Sequence, residues 1–318
     1  MIYTSENNWY SWSYGDLGPY SRQTSNLPFH THFTEHTKKI GSFKEELLNA
    51  AKSTMDHVSG NIVILFSGGV DSEIMLRAFL DIGVSPKVVI IRYENDYNIY
   101  DVSYAVTICS ILNVPYSILD FNLQNFYEND AERISELAQI DRPRALPYCK
   151  ILEMIDGFPI MGNGDLTPWR TNDNYSTKGT WMMRCWEHDI GWSKFLRQID
   201  KPGIAEWLKW TPGLVISYLN TKWFNKLIND EYYGKLGSSS TKILGYREAY
   251  PDLIDRKKQT GFEKIDHLKN DFENHLEKKF NGFRYRQAMD RTIEELRADI
   301  TGNPHHIANF VSGIVANK

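Results

Sequence analysis

Ser67-Gly68-Gly69-Val70-Asp71-Ser72 is the stretch of this sequence whose residue types and spacing are best suited to bind phosphate. Two adjacent glycines let the main chain approach an anion closely, because no Cβ intervenes. The serine hydroxyls can donate hydrogen bonds, and the Asp71 carboxylate can hold a divalent cation between phosphate oxygens. No Gly-Lys-Ser/Thr follows the glycines, so the stretch is not a Walker A loop. We expect it to bind the phosphates of a nucleotide.

The flanking segments predict that this stretch joins a strand to a helix. The apolar run 61–66 is short and rich in β-branched residues, which is typical of a buried parallel strand. Apolar residues between Ile74 and Ile82 recur at helical spacing. Free N–H groups and the helix dipole favour an anion at the start of such a helix.

A second glycine-rich turn, Gly162-Asn163-Gly164-Asp165, follows another predicted strand, 158–161. Its aspartate could join Asp71 in holding Mg²⁺, which favours carboxylate oxygens and retains several waters. Further strands are predicted at 87–92 and 115–119, with helices at 42–56, 101–112 and 128–139. Alternating strands and helices predict an α/β fold with a doubly wound parallel sheet, whose ligands bind at the carboxyl ends of strands. Both glycine-rich turns should therefore face one crevice.

The sequence divides into three parts. We expect residues 1–41 to form an irregular or hairpin extension rich in aromatic residues. We expect residues 42–165 to form the nucleotide-binding α/β domain. From about 165 the strand signal fades, so 166–318 predicts a mainly helical substrate or closing lobe, with helices at 204–208, 214–228 and 266–296. Seven of the nine tryptophans lie between Trp169 and Trp223. They favour packing within this lobe, with a stacking surface for a planar substrate as the alternative.

A basic segment at 242–262 carries a third set of candidate residues. A positive group near the α-phosphate would stabilise charge that develops when an oxygen attacks phosphorus. Arg256 and Lys258 are the candidates for this catalytic role.

Two of these segments resemble a known superfamily. The stretch 67–72 resembles the SGGxDS loop of the PP-loop ATP pyrophosphatases of the N-type, which have an adenine nucleotide alpha hydrolase-like fold. The segment 242–262 is similar to the closing motif of the asparagine synthetase synthase domain and the β-lactam synthetases, approximately K-x-x-L-R-x-A, L-P-x-x-I and R-x-K-x-G-F. The likeness runs from about 42 to 262. It implies an ATP- and Mg²⁺-dependent ligase that activates an oxygen of its substrate as an adenylate.

The resemblance also implies roles for individual residues. Lys258 would contact the ATP phosphates and the intermediate, and Lys257 competes for that role because the spacing to Gly261 is one residue longer than in the family. Asp71 and Asp165 would bind the metal, although Asp165 arrives one residue early. The ATP-binding residues would be Ser67, Gly68, Gly69, Val70, Asp71, Ser72, Gly162 and Gly164, with Ile91 and Arg92 flanking adenine or ribose through main-chain contacts.

Other positions narrow the reaction. Asn163 stands where asparagine synthetases carry a glutamate, so their acid–base chemistry need not transfer. Ile2 replaces the nucleophilic cysteine of the glutamine-using enzymes, so we expect no built-in glutaminase. Nitrogen would come from ammonia, a separate glutaminase or a substrate amine. The expected partner is a small molecule with a carboxylate or amide.

Composition limits the alternatives. The net charge of −4 gives no general basic field, so a nucleic-acid partner is possible but not favoured. The three cysteines show no CxxC spacing, which argues against a disulfide framework and zinc and favours the cytoplasm. No apolar run predicts a membrane span. Two alternatives stay open: an RNA-modifying enzyme like the lysidine synthases or tRNA thiolases, and a catalytically decayed ATP-binding protein.

Overall fold

The computed structural model describes residues 10–14, 29–34, 36, 39–58, 60–164, 168–170, 181–229, 238–256, 264, 266–279 and 288–292. The strands are β1 (Tyr10–Tyr14), β2 (Phe29–Phe33), β3 (Ile62–Leu65), β4 (Lys87–Tyr93), β5 (Tyr116–Phe121), β6 (Phe158–Met161), β7 (Pro168–Arg170), β8 (Trp181–Trp186) and β9 (Ala288–Thr292). The helices are α1 (Phe43–His57), α2 (Val70–Asp81), α3 (Ile99–Ile111), α4 (Leu123–Asn129), α5 (Ala131–Ala138), α6 (Leu146–Met154), α7 (Gly191–Gln198), α8 (Pro212–Leu219), α9 (Lys222–Asn229), α10 (Ser238–Tyr246) and α11 (Asp266–Lys279).

A four-stranded parallel sheet in the order β5-β4-β3-β6 forms the centre of the fold. Successive side chains of a strand point to opposite faces. Accordingly, Ile62 and Ile64 pack into the core that includes α1 and α2, whereas Val63 and Leu65 pack into the core formed with α4 to α7. Helices therefore cover both faces, which confirms the predicted doubly wound α/β architecture.

Helix α1 begins where its sequence predicts. Ser42 accepts a hydrogen bond from the Glu45 N–H, and the Glu45 carboxylate accepts one from the Ser42 N–H at 2.7 Å. The pKa of Glu45 is lowered mainly by this backbone hydrogen bond. Such a capping box satisfies two N–H groups that would otherwise lack acceptors at the helix start.

The chain beyond 165 contains more strand than its sequence predicts. The pairing of β7, β8 and β9 gives a three-stranded antiparallel sheet beside helices α7 to α11. The helix predicted over 266–296 ends at Lys279, and β9 lies within the remainder. The helix predicted at 204–208 is also wrong, because Ile204 forms a parallel bridge with Ile160 at the edge of the central sheet. In both places long-range pairing overrides local periodicity.

The sequence predicts an irregular or hairpin extension for the N-terminal part, and its described residues form a hairpin of β1 and β2 in antiparallel register. Its alternate side chains Tyr10, Trp12 and Tyr14 are buried in the same core as α1 and α2.

Tryptophan side chains join the later part of the chain to the part that contains the central sheet. The ring of Trp207 lies 5.6 Å from that of Phe79, and its indole N–H donates to Thr54 at 3.0 Å. Trp210 and Trp223 are also buried, which agrees with the packing interpretation for these residues. In the described part of the chain, no helix combines the length and apolar character needed to cross a membrane.

Candidate functional site

The turn between β3 and α2 places two glycines at the carboxyl end of the central sheet. Gly68 has φ +72°, and a Cβ there would lie 2.6 Å from the Asp101 carbonyl oxygen and 2.8 Å from the Ala105 nitrogen. Only glycine combines this left-handed backbone with such a close approach to α3. Gly69 is the N-cap of α2 and adopts an extended conformation.

Polar groups converge on this turn. The hydroxyl oxygens of Ser67 and Ser72 lie 3.2 Å apart, and the Ser72 hydroxyl donates to the Gly69 carbonyl at 2.9 Å. The Glu73 N–H donates to the same carbonyl at 3.0 Å. The N–H groups of the preceding first-turn residues have no acceptor within the helix, which makes them donors for an anion.

The second glycine-rich turn packs against the first, which agrees with the prediction that both turns face one crevice. A Cβ on Gly162 would lie 2.8 Å from Ser72 Cα, so the two turns are in direct contact. Gly164 has φ +91° and packs against Glu206; it does not line the cavity described below. Asp165, predicted as a metal ligand, lies outside the described residues.

Asp71 is held by two side chains from α10. The Lys242 ammonium lies 2.7 Å from one carboxylate oxygen, and the Tyr246 hydroxyl donates to the other at 2.7 Å. Both side chains of the ion pair are largely buried, with 16% of Lys242 and 22% of Asp71 exposed. The carboxylate predicted to bind metal is therefore already neutralised by a lysine.

Arg256 contacts the glycine turn and the first turn of α2. Its guanidinium forms an ion pair with Glu73 and donates to the Gly68 carbonyl, and its Nε has no partner among the described residues. Glu73 also accepts from Arg77 at 2.8 Å, and Arg77 donates to Asp252 at 2.8 Å. In this structure the Arg256 charge stabilises the turn and the segment that follows α10. Its predicted catalytic role at the α-phosphate stays a prediction.

A cavity of about 290 Å³ opens beside the glycine turn at the carboxyl ends of the strands. Its lining comes from the glycine turn and the start of α2, from the ends of β3, β4 and β6, from α3 and the residue before it, and from the turn before α6, α6 itself and α7. The lining residues are Leu65, Phe66, Ser67, Gly69, Asp71, Ser72, Ile90, Ile91, Tyr93, Asn98, Asp101, Val102, Arg142, Arg144, Ala145, Tyr148, Met161, Gly162, Asn163 and Trp192. The two turns therefore share one crevice, as the topology requires.

Of the other predicted site residues that the structure describes, only Ile91 lines the cavity. The Arg92 side chain pairs with Asp120 at 2.6 Å on the exposed edge of the sheet. Main-chain contact of either residue with a nucleotide stays a prediction. Lys257 and Lys258 lie outside the described residues.

The donors at the turn fit a magnesium ion that is bound mainly by phosphate and water. In the ranges that the structure describes, no three His, Cys, Asp or Glu side chains lie close enough to form a metal centre. Mg²⁺ commonly uses only one or two protein carboxylates plus phosphate oxygens. Asp71 could be one such ligand if the metal replaced the Lys242 ammonium.

Several site residues were missed by the sequence interpretation. Lys242 and Tyr246 are four residues apart, which places them on one face of a helix, and both lie inside the closing segment. Arg142 and Arg144 flank Pro143 ahead of α6, but no periodic pattern indicates that they line a cavity. Only the tertiary fold brings Lys242 and Tyr246 to Asp71, and the two arginines to the cavity.

No protein-family model and no curated protein matches this sequence. Solved structures give slight likenesses, among them these three. An NMN synthetase from Francisella tularensis is 20% identical over 37% of this chain and 52% of its own, with a TM-score of 0.28. A predicted tRNA methyltransferase subunit from Methanocaldococcus jannaschii is 16% identical over 63% and 94%, with a TM-score of 0.30. An NH3-dependent NAD synthetase from Campylobacter jejuni is 14% identical over 74% and 95%, with a TM-score of 0.28.

The chain spans about half the length of the NMN synthetase that it matches. Likenesses at these TM-scores assign neither a family nor an activity. The function is therefore argued from the site itself.

Proposed function

We propose that this chain is an ATP-dependent adenylating enzyme of the PP-loop type, which splits ATP into AMP and pyrophosphate. The observation that supports the proposal most is the turn 67–72, seated between a buried parallel strand and α2 at the mouth of the cavity. Its hydroxyls and first-turn N–H groups are arranged as an anion-binding site.

The turn would stabilise pyrophosphate as the leaving group. The N–H groups at the start of α2 and the hydroxyls of Ser67 and Ser72 are fixed before the reaction, because packing of Gly68 and Gly162 holds the turn in place. Donors that are already oriented stabilise developing charge without reorganisation, which is the usual source of large electrostatic catalysis.

The charged side chains would act on the phosphates. Bound Mg²⁺ would supply Lewis-acid polarisation of the phosphate oxygens. Asp71 would provide a carboxylate for it, and Asp165 is proposed as the second ligand. Lys242, once separated from Asp71, is close enough to neutralise the departing pyrophosphate, whereas Lys257 or Lys258 is proposed to contact the intermediate.

We further propose that the adenylated group is a carboxylate or amide oxygen, as in the asparagine synthetase-like ligases. An amine or ammonia would then displace AMP and form an amide bond. Holding the amine and the adenylate together contributes mainly by positioning. The sequence resemblance in 242–262 supports this finer assignment.

The RNA-modifying alternative is less well supported. It depends on a basic surface in 256–291, and Arg256, the first residue of that segment, is neutralised by Glu73. A catalytically decayed protein would bind ATP without forming AMP, so analysis of the products distinguishes it from an enzyme.

Product analysis tests the proposal. The protein is incubated with ATP, Mg²⁺ and either pooled amino acids, pooled carboxylic acids with ammonia, or RNA, and its nucleotide products are separated. We expect AMP and pyrophosphate, lost in Asp71→Asn and retained in the surface control Arg133→Gln, whose side chain pairs with Glu153 away from the cavity. ADP and phosphate as products, or ATP bound without any AMP, would refute it.

A further inference from the structure

One part of the cavity wall is not used by the nucleotide-binding turn. It consists of Arg142 and Arg144 from the turn before α6, Tyr148 from the first turns of α6, and Trp192 from the start of α7. Arg142 is exposed, and the other three are half-buried. The wall therefore combines two cations with two aromatic rings.

The Trp192 ring is fixed in orientation. Its indole N–H donates to the Ala145 carbonyl at 2.8 Å, and its ring lies 5.9 Å from that of Tyr148 at an interplanar angle of 75°. An edge-to-face pair of this kind is a favourable aromatic arrangement. Because its N–H group is already bonded to the protein, the indole offers the cavity mainly ring surface.

The Tyr148 hydroxyl is paired with that of Tyr93, which also lines the cavity. Burial is the main cause that raises the pKa of both phenols, so both stay protonated and neutral at ordinary pH. The two arginines supply the positive charge of this wall, and the Asp101 carboxylate, which lines the same cavity and lies near both phenols, offsets part of it, so that the three side chains together are cationic. A guanidinium is always charged and binds a carboxylate through two parallel hydrogen bonds.

An acid that is to be adenylated must approach a triphosphate of the same charge. Cations beside the cavity reduce that repulsion, and the effect is larger in a partly buried site than in water. Ring surface next to those cations favours a planar apolar body over a flexible polar one.

We propose that this wall, which we call the acid subsite, binds a planar aromatic carboxylic acid as the acceptor of AMP; this rests on the proposed function. The guanidinium groups of Arg144 and Arg142 hold the carboxylate, and Trp192 and Tyr148 contact the ring. A carboxylate oxygen then bonds to the α-phosphorus while the bond to the α,β-bridging oxygen breaks. Pyrophosphate leaves with that electron pair, and the acyl adenylate remains.

Calorimetric titration of the full chain without ATP tests the acid subsite directly. The probes are benzoate, anthranilate and 2-naphthoate, with benzamide as the uncharged analogue and L-aspartate and butyrate as non-aromatic acids. We expect at least one aromatic acid to bind, and benzamide, aspartate and butyrate to bind at least about tenfold more weakly.

Three variants separate charge from packing. Arg144→Gln should weaken the bound aromatic acid by about tenfold or more, and Arg144→Lys by less, because the charge remains without the bidentate fork. Trp192→Leu should weaken it by about fivefold through loss of ring contact. Arg133→Gln, on the surface salt-bridge cluster with Glu153, should leave binding unchanged. Melting temperatures of all variants report whether each still folds.

The outcomes are distinct. If none of the aromatic acids binds, if aspartate binds as well as they do, or if Arg144→Gln binds them normally, the acid subsite is wrong. If Arg144→Gln raises only the KM for ATP, then Arg144 contacts the nucleotide rather than the acid, and the acid subsite is also wrong. Acid binding without acid-dependent exchange between ATP and labelled pyrophosphate would instead contradict the proposed function and leave the subsite standing.

Discussion

Glu73 is the buried charge that holds two arginines beside the glycine turn 67–72. Its side chain is 1% exposed and contacts two arginines, Arg77 and Arg256, which are 11% and 6% exposed. Replacing Glu73→Gln preserves its volume and removes the negative charge. Arg77 keeps Asp252 and Arg256 keeps the Gly68 carbonyl, so neither cation loses every partner.

The expected cost follows from this geometry. Removing one partner of a buried ion pair destabilises a protein by about 3–5 kcal/mol, because the remaining charge stays buried. Because both arginines keep another partner, we expect Glu73→Gln to lower the free energy of unfolding by about 3 kcal/mol, the lower end of this range. That is about a 150-fold change in the unfolding equilibrium.

Urea unfolding followed by circular dichroism measures this change. The exposed pair Arg92–Asp120 provides the control, because pairs in solvent contribute little, and Arg92→Gln should leave the midpoint unchanged. The double variant Glu73→Gln, Arg256→Met should be more stable than the sum of its single variants predicts, since it removes both charges. A Glu73→Gln protein within about 1 kcal/mol of the wild type would refute this reasoning.

Three further predictions concern single residues. Lys242→Met removes the cation that competes for Asp71, so calorimetry should show Mg²⁺ binding at least about threefold tighter, and unchanged binding would contradict this. Gly68→Ala should destabilise the protein by about 2 kcal/mol more than Gly83→Ala in urea unfolding, because both have positive φ but only Gly68 lacks room for a Cβ; equal costs would contradict this. Burial raises the pKa of the Cys109 thiol to about 11, so peptide mapping after iodoacetamide at pH 8 should find it unlabelled until the protein unfolds, and labelling of the native chain would contradict this.

The central sheet and the glycine turn could be predicted because their signals are local. A short β-branched run, two glycines and a helical repeat occupy adjacent positions, and each is set by backbone geometry. The capping box at Ser42 is local in the same sense. These signals place Ser67, Gly69, Asp71, Ser72 and Gly162 in one cavity wall.

The rest of the site depends on contacts between distant parts of the chain. Lys242 reaches Asp71 from 171 positions away, and Arg256 reaches Glu73 from 183. The arginines and lysines of the segment 242–262 could equally lie on a helix face in solvent, so the sequence does not show which of their charges are buried. The strand β9 was missed for a related reason, because its partner β8 lies about a hundred residues earlier.

A crystal structure with Mg²⁺ and α,β-methylene-ATP would test the central claim most directly, since this analogue cannot be cleaved between its α and β phosphates. We predict that the β- and γ-phosphates lie against the N–H groups and hydroxyls of 67–72, with Asp71 on the metal and Lys242 moved onto phosphate. Phosphates bound elsewhere in the cavity, or an Asp71 still paired with Lys242 beside a bound nucleotide, would contradict it.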